Sequence, residues 1–309
     1  MAGIQESKFI WRSGEMVPWK EATTHVMTHA LLYGTCAFEG VRAYKTHKGT
    51  AIFRNDAHID RLFYSAKIYG IPINFTKDEV MEAARRSIRD NDLESAYLRI
   101  NAYLGYGEFS PAATGCPPEL DIVSFAMGQY LGDTAVQEGV DVCVSSWRRL
   151  APGTIPAGVK MAGNYLSSRL ITTEARARGC ADGIGLGHDG RVSEGAAQNL
   201  FMVHKGRIIT PPMAASILGG ITRDTVMTLA RDLGYEIVEQ DLSRDILYGA
   251  DELFFTGTAA ELTPIKAVDD IAIGEPGNKP VTKKLQETFF GLFDGSTEDR
   301  HGWLDYVDA

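Results

Sequence analysis

The chain is short of several things, and each shortage removes a class of function. Its 309 residues include only four cysteines, Cys36, Cys116, Cys143 and Cys180, scattered with no CxxC and no metal-ligand spacing. That argues against a disulfide framework or a cysteine-based metal site and for free thiols in a reducing cytosol. No apolar run approaches the ~20 residues needed to span a bilayer, and Met1 to Lys8 has no apolar stretch of the signal-peptide kind. The expectation is a cytoplasmic protein with no membrane partner. Basic residues are outnumbered, giving a net charge of −9, which argues against nucleic acid, since phosphate binding needs a basic face. There is no internal repeat and no low-complexity segment. What remains is ordinary for a globular protein, 44% hydrophobic and 23% charged, and long enough for two cores.

The most informative shortage is local. In this acidic chain there is no Asp or Glu between Asp141 and Glu174. Within that stretch runs Thr154-Ile155-Pro156-Ala157-Gly158-Val159-Lys160-Met161-Ala162-Gly163-Asn164-Tyr165. Lys160 has no carboxylate close in sequence, and its neighbours are small or apolar. A lysine held there loses hydration, which favours a neutral amine able to attack a carbonyl or act as a general base. Read alone, it also fits a lysine reaching from a loop edge to water.

The rest of the chain reads as alternating strands and helices. Lys8 to Val17 is a hairpin turning at Arg12-Ser13-Gly14. Phe38 to Tyr44 is a strand paired with Ala51-Ile52-Phe53. A helix opens at Asn55 or Asp56 and ends near Gly70; Ile59, Leu62, Phe63 and Ala66 mark its apolar face, with Arg61 off it, which by spacing alone makes it a solvated arginine. Thr76 and Glu79 form a capping box for a helix reaching Asp92. Ala96 to Leu104 and Leu120 to Tyr130 are strands, separated by a Gly- and Pro-rich loop over Gly105 to Pro118. His25 and His29 have no third ligand and suit packing or capping. Asn164 is placed to cap a helix from Tyr165 to Arg178, and Ala181 to Leu186 is a strand turning at His188-Asp189-Gly190. Glu194 lies among small residues where a cofactor can approach the backbone. Gly219-Gly220-Ile221-Thr222 opens a helix, whose first amides suit an anion, although a plain turn capped by Thr222 fits too. Ser243 reads as the cap of a short helix. The turn Thr256-Gly257-Thr258-Ala259-Ala260 offers a second set of amides, and Thr282 to Phe293 is a last amphipathic helix.

Seven blocks in this order resemble a class IV pyridoxal-phosphate aminotransferase, and within that family a branched-chain amino acid aminotransferase. They are Tyr33 to Arg42, His58 to Leu62, Tyr97-Leu98-Arg99, Lys160 to Leu166, Ser193-Glu194-Gly195, Gly220 to Asp224 and Gly257 to Glu261. The resemblance implies an α/β (α+β) chain of the two-domain fold type IV, with pyridoxal 5'-phosphate in the interdomain cleft. The domains are expected over 1–130 and 139–309, joined by a linker at 131–138. The implied reaction transfers the amino group of L-leucine, L-isoleucine or L-valine to 2-oxoglutarate.

The resemblance also implies roles. Lys160 forms a Schiff base with the cofactor and carries the proton of a 1,3-shift. Glu194 sits by the ring nitrogen, Tyr165 by the ring oxygen, and Leu218 packs on the ring. Arg61, the Ile221 and Thr222 amides and Thr258 hold the phosphate. Tyr33, Phe38, Tyr130 and Tyr165 wall an apolar pocket near Gly40. Tyr97 with the Thr258 and Ala259 amides takes the α-carboxylate, and Arg99, supported by Arg42, the distal carboxylate of glutamate. Met127 stands where many bacterial members have tryptophan, and the Gly105 to Pro118 loop departs from their pattern, which together leave room for a wider pocket and for aromatic amino acids or (R)-amines as secondary substrates. The chain is expected to form a homodimer or a higher homo-oligomer such as a hexamer, since in the family a partner loop matching Gly105 to Pro118 completes each site. The alternatives are a D-amino acid or (R)-amine transaminase of the same fold, an aminodeoxychorismate lyase-like enzyme, and a binding protein that has kept the fold.

Overall fold

The computed structural model describes residues 4–128, 130–132 and 134–308. Gln129 and Asp133 lie outside the described residues, although the strand expected over 120–130 and the linker expected over 131–138 include them; so do residues 1–3 and 309. The chain splits into two units, one of Met1–Met127, Val159–Gly163 and Phe293–Ala309, the other of Gly128–Gly158 and Asn164–Leu292. The sequence drew its second part as one run over 139–309. In the structure two segments of that run group with the first unit, because each pairs with the edge of a strand there.

The first unit contains β1 (Phe9–Arg12), β2 (Glu15–Pro18), α1 (His29–Tyr33), β3 (Cys36–Thr46), β4 (Gly49–Phe53), α2 (Asn55–Ile68), α3 (Lys77–Arg89), β5 (Ala96–Leu104) and β6 (Pro118–Phe125). The strand expected over 120–130 is thus shorter and shifted. A C-terminal strand, Leu304–Tyr306, pairs antiparallel with β4, and the sheet continues β3, β5, β6, β1, β2. Side chains alternate across a strand, and the register carries this through the sheet. Val41 faces Leu98, Ala37 faces Ala102, and Ile100 faces Ile122. These residues make one core with Ile59, Leu62 and Ala66 of α2 and Val80, Ala84 and Ile88 of α3. The other face carries the pairs Phe38–Asn101, Gly40–Arg99 and Arg42–Tyr97.

The second unit contains α4 (Ala135–Glu138), β7 (Val140–Arg148), α5 (Tyr165–Ala177), β8 (Asp182–Leu186), β9 (Val192–Gly195), β10 (Asn199–His204), β11 (Arg207–Thr210), α6 (Ile221–Asp232), β12 (Ile237–Glu239), β13 (Glu252–Gly257), β14 (Glu261–Val268), β15 (Ile271–Ala272) and most of α7 (Pro280–Asp294). Its sheet runs β12-β11-β10-β13-β14-β7-β8-β9, with β15 on β14. β7 lies parallel to both β8 and β14. Val142, Ile184, Leu200, Met202, Leu253, Phe255 and Ile265 form its core.

Helix ends show where local patterns mislead. The Thr76–Glu79 capping box forms as read. Asn164 precedes α5, but its side chain makes no cap bond; Nδ2 donates to the Pro156 carbonyl at 3.0 Å instead. Gly220, not Thr222, is the residue before α6. The short helix Asp245–Gly249 follows Arg244 rather than Ser243. His29 is buried in packing: its ring nitrogens meet Thr35 Oγ1 at 2.7 Å and the Ser110 carbonyl at 2.9 Å. Among the described residues no helix is long and apolar enough to cross a membrane, and no group of three or more His, Cys, Asp or Glu is placed to hold a metal ion.

Candidate active site

In the first unit the candidate residues collect around β3. Its first residues lie beyond the reach of β4, which pairs only from Ala43 onward. The Lys160 segment takes that edge: Phe38 N–H donates to the Lys160 carbonyl at 3.0 Å, and Ala37 forms a bridge with Met161. Lys160 N–H donates to Ser65 Oγ on α2 at 3.0 Å. The lysine's main chain is therefore fixed on both sides. Its Nζ lies 4.8 Å from the Phe38 ring centre, and Arg99 Cζ lies 4.5 Å from the same ring. Tyr97 Oη accepts from Arg99 Nη2 at 3.4 Å. A Cβ at Gly40 would come within 2.0 Å of that hydroxyl, so only glycine leaves Tyr97 its place. Cys36 opens the same strand; burial pushes its thiol up to about 12 against the opposing charge of Arg99, so it stays protonated at neutral pH.

Beneath this face lies a carboxylate that local sequence patterns did not single out. Glu39 is wholly buried on the helix side of β3, opposite Ile100. Its Oε1 accepts from Arg61 Nε at 2.7 Å, and Oε2 accepts from Arg61 Nη2 at 2.8 Å and from His58 Nδ1 at 2.7 Å. Burial pushes the His58 ring down, so it is neutral, and a carboxylate neighbour requires the proton on Nδ1. Helical spacing alone made Arg61 a solvated arginine. The structure corrects this: the side chain is 13% exposed and held by a carboxylate from another element.

The second unit gathers its candidates at the start of β10. Glu194, at 3% exposure, is held on both oxygens. Arg149 Nη2 donates to Oε1, while Asn199 Nδ2 at 2.9 Å and Leu218 N–H at 3.1 Å donate to Oε2. Asn199 also donates to the Leu218 carbonyl at 2.9 Å. The next turn leads through Gly220 into α6, where a Cβ on Gly220 would come within 1.9 Å of Asn199 Oδ1. No side chain caps this helix, so the amides at Ile221 and Thr222 begin it without a capping oxygen. Asn199 pairs with Thr256 of β13, which puts the half-buried Thr258 and Ala259 in the turn beyond that strand end.

The remaining candidates belong to other elements. Tyr165 is half-buried at the start of α5, and Tyr130 and Met127 are half-buried beyond β6. Tyr33 ends α1, 44% exposed, and its hydroxyl donates to the Phe109 carbonyl in the 105–117 loop. The residues missed from sequence are those that hold others: Glu39, His58 and Ser65 in one unit, Arg149 and Asn199 in the other. The available signal was a charged residue inside an apolar strand. Glu39 stands between Phe38 and Gly40, with Ala37 and Val41 beyond, and such a charge needs a buried partner.

Burial pushes the Glu39 carboxyl up, but the charge and hydrogen bonds of Arg61 and the hydrogen bond of His58 outweigh it and bring it to about 2 from an ordinary 4.5. A depressed value means the stabilisation is complete above the unfolded value and is lost as pH falls through the folded one. The shift corresponds to about 3 kcal/mol. Urea unfolding of the wild type and Glu39→Gln should therefore show a constant stability gap above about pH 5, shrinking by about that amount towards about pH 2. A gap independent of pH would contradict the ionised pairing.

The sequence pattern of the amino-transferase class IV family matches residues 36–268. The branched-chain-amino-acid aminotransferase of Escherichia coli (strain K12) is 51% identical over 307 residues, covering 98% of this chain and 99% of that protein. A crystal structure of the Escherichia coli branched-chain amino acid aminotransferase superposes with a TM-score of 0.97 at 50% identity, covering 98% of this chain and 100% of that one. The branched-chain amino acid aminotransferase from Thermobaculum terrenum, in its PLP (holo) form, gives a TM-score of 0.90 at 33% identity, covering 98% of this chain and 99% of that one. With the blocks that carry the resemblance lying in the matched fold, the chain belongs to the class IV aminotransferases.

Proposed function

We propose that this enzyme is a branched-chain-amino-acid aminotransferase, exchanging the amino group of L-leucine, L-isoleucine or L-valine with 2-oxoglutarate, with pyridoxal 5'-phosphate as cofactor. The observation that carries the reading is likeness over nearly the whole chain to branched-chain aminotransferases, at about half identity. The residues present fit the cofactor. Glu194 is a buried carboxylate held by three donors, suited to a pyridine nitrogen. An α6 start without a capping side chain and with glycine before it suits a phosphate. Arg61 adds a fork of donors matching phosphate oxygens, and Lys160 an amine for the aldehyde.

When bound, the cofactor supplies the electron sink that lets a bond at the substrate α-carbon break. The protein's residues do the rest. Lys160 Nζ would take the proton from the substrate α-carbon and deliver it two atoms away, as a 1,3-shift requires, a task suited to an amine whose main chain is fixed at both its N–H and its carbonyl. Glu194 keeps a proton on the ring nitrogen, and Arg149 and Asn199 keep the carboxylate in position for it. Tyr165 donates to the ring oxygen, and Leu218 packs on the ring. Arg61, the Ile221 and Thr222 amides and Thr258 hold the phosphate. Tyr97 and the amides of Thr258 and Ala259 receive the α-carboxylate. Arg99 receives the distal carboxylate of glutamate. Phe38, Tyr33, Tyr130, Tyr165 and Met127 give the side-chain pocket its apolar wall near Gly40.

The working assembly is at least a homodimer in this reading. Val26, Leu31, Tyr106 and Phe109 are all more than half exposed, on α1, the segment before it and the 105–117 loop. There α1 is tied to the 105–117 loop through Thr28 with Tyr106 and His29 with Ser110. An apolar patch of this kind suits a second copy of the chain. Light scattering should read a mass of two or more chains, and a stable monomer with full activity would remove this part of the reading. The cytoplasmic setting rests on four free thiols, two buried and two half-buried.

Substrate choice is tested by a half-reaction without keto acid. Mixed with L-leucine, the holoenzyme should lose the visible absorbance of the cofactor's aldehyde form, and mixed with D-alanine it should not; conversion by (R)-1-phenylethylamine as well as by L-leucine would mark the wider pocket at Met127. Conversion by the D-acid or the (R)-amine alone would overturn the assignment.

A further inference from the structure

Glu39 has no role in the reaction as described, yet it is wholly buried on the apolar side of β3. Desolvating a carboxylate is unfavourable unless partners recover the loss. Its partners come from one face of α2, where His58, Arg61 and Ser65 follow at helical spacing. Glu39 binds Arg61 side-on, through Nε at 2.7 Å and Nη2 at 2.8 Å. This pairing takes one edge of the guanidinium and fixes the plane of the whole group, directing its Nη1 edge away from the carboxylate. His58 donates to Oε2 one turn earlier and steadies the carboxylate itself. One turn later Ser65 accepts from Lys160 N–H, and Phe38, next to Glu39, donates to the Lys160 carbonyl. The strand residue beside Glu39 and the helix face that carries Arg61 and Ser65 are thus the two supports of the lysine's main chain.

We propose that Glu39 is a positioning residue for the cofactor's phosphate: by clamping one edge of Arg61 it presets the guanidinium for the anion. The inference rests on the reading of Arg61 as a phosphate arm. An arginine swinging on its flexible stem would have to be ordered on binding, whereas one held by a buried carboxylate is ordered beforehand. Glu39 itself touches neither cofactor nor substrate in this account. Its charge also lowers the net positive charge of the arm, so its contribution is one of direction rather than attraction. The ionised state required for the clamp holds throughout the working pH range, since the carboxyl lies near 2.

The test compares two ligands that differ only in the phosphate. Full-length enzyme stripped of cofactor is titrated with pyridoxal 5'-phosphate and with pyridoxal, in the wild type, Glu39→Gln, Arg61→Gln and the double variant. The readout is the ratio of the two dissociation constants. Glu39→Gln should weaken pyridoxal 5'-phosphate about tenfold to a hundredfold, the range carried by partners that orient a ligating group, and leave pyridoxal nearly unchanged. The double variant should be no worse than Arg61→Gln alone. A Glu39→Gln that weakens both ligands equally, or leaves the ratio intact while Arg61→Gln lowers it, would overturn the proposal and leave the arginine's role standing. An unchanged ratio in Arg61→Gln would overturn the phosphate-arm reading, and the inference about Glu39 with it. If Glu39→Gln does not fold, Glu39→Asp keeps the charge but draws the clamp back by one methylene, and should lower the ratio in the same direction.

Discussion

A lysine side chain has a long flexible stem, so a reactive amine can be placed only by fixing the main chain beneath it. Here that is done by strand physics. β4 pairs with β3 only from Ala43 to Thr46 and leaves the N-terminal half of that edge without a strand partner from β4. Backbone donors and acceptors in a buried place need partners. The Lys160–Met161 segment supplies them, with Phe38 N–H on the Lys160 carbonyl and Ser65 on the Lys160 N–H. The rest of the first unit serves this arrangement. The apolar residues of β3 and β5 bind the sheet to α2 and α3, and α2 in turn brings Ser65 and Arg61 to the strand.

Each unit buries a carboxylate among its candidate residues, Glu39 in one and Glu194 in the other, and the two are handled alike. Glu39 is held by Arg61 and His58, and Glu194 by Arg149, Asn199 and the Leu218 amide. A buried pair contributes little net stability compared with an apolar packing of the same volume, but losing one partner is costly because the other charge is stranded. Such pairs therefore define geometry more than they add stability.

Much of the scaffold was legible in the sequence because its signals are local. Alternation marked β3 and β5 and put Tyr97 with Arg99 on one face, the Thr76–Glu79 box marked α3, and Gly219-Gly220 marked the start of α6. What was illegible depends on distance along the chain. Nothing near Leu304 announces that it pairs with Phe53. Arg149 lies 45 residues from Glu194, and Glu39 lies 22 from Arg61, so local reading left Arg61 on a wet helix face. Asn164 had the chemistry of a cap, but it already lies in a helical turn, Ala162–Asn164, with φ −65° and ψ −27°, not in the extended conformation that a capping residue adopts. Of the residues the resemblance nominated, the structure groups Phe38, Gly40, Tyr97, Arg99 and Lys160 around one strand and Glu194, Leu218, Ile221 and Thr222 around another. Their roles are those the resemblance implies, and no local sequence pattern alone supplies them.

The central claim is that Lys160, among all lysines of the chain, is the amine that meets the cofactor. The direct measurement is borohydride reduction of the enzyme loaded with pyridoxal 5'-phosphate, followed by peptide mapping with mass spectrometry. The account predicts a phosphopyridoxyl group on the peptide containing Lys160 and on no other. The same mass on a different lysine, or a loaded enzyme that takes up no label at all, would contradict it.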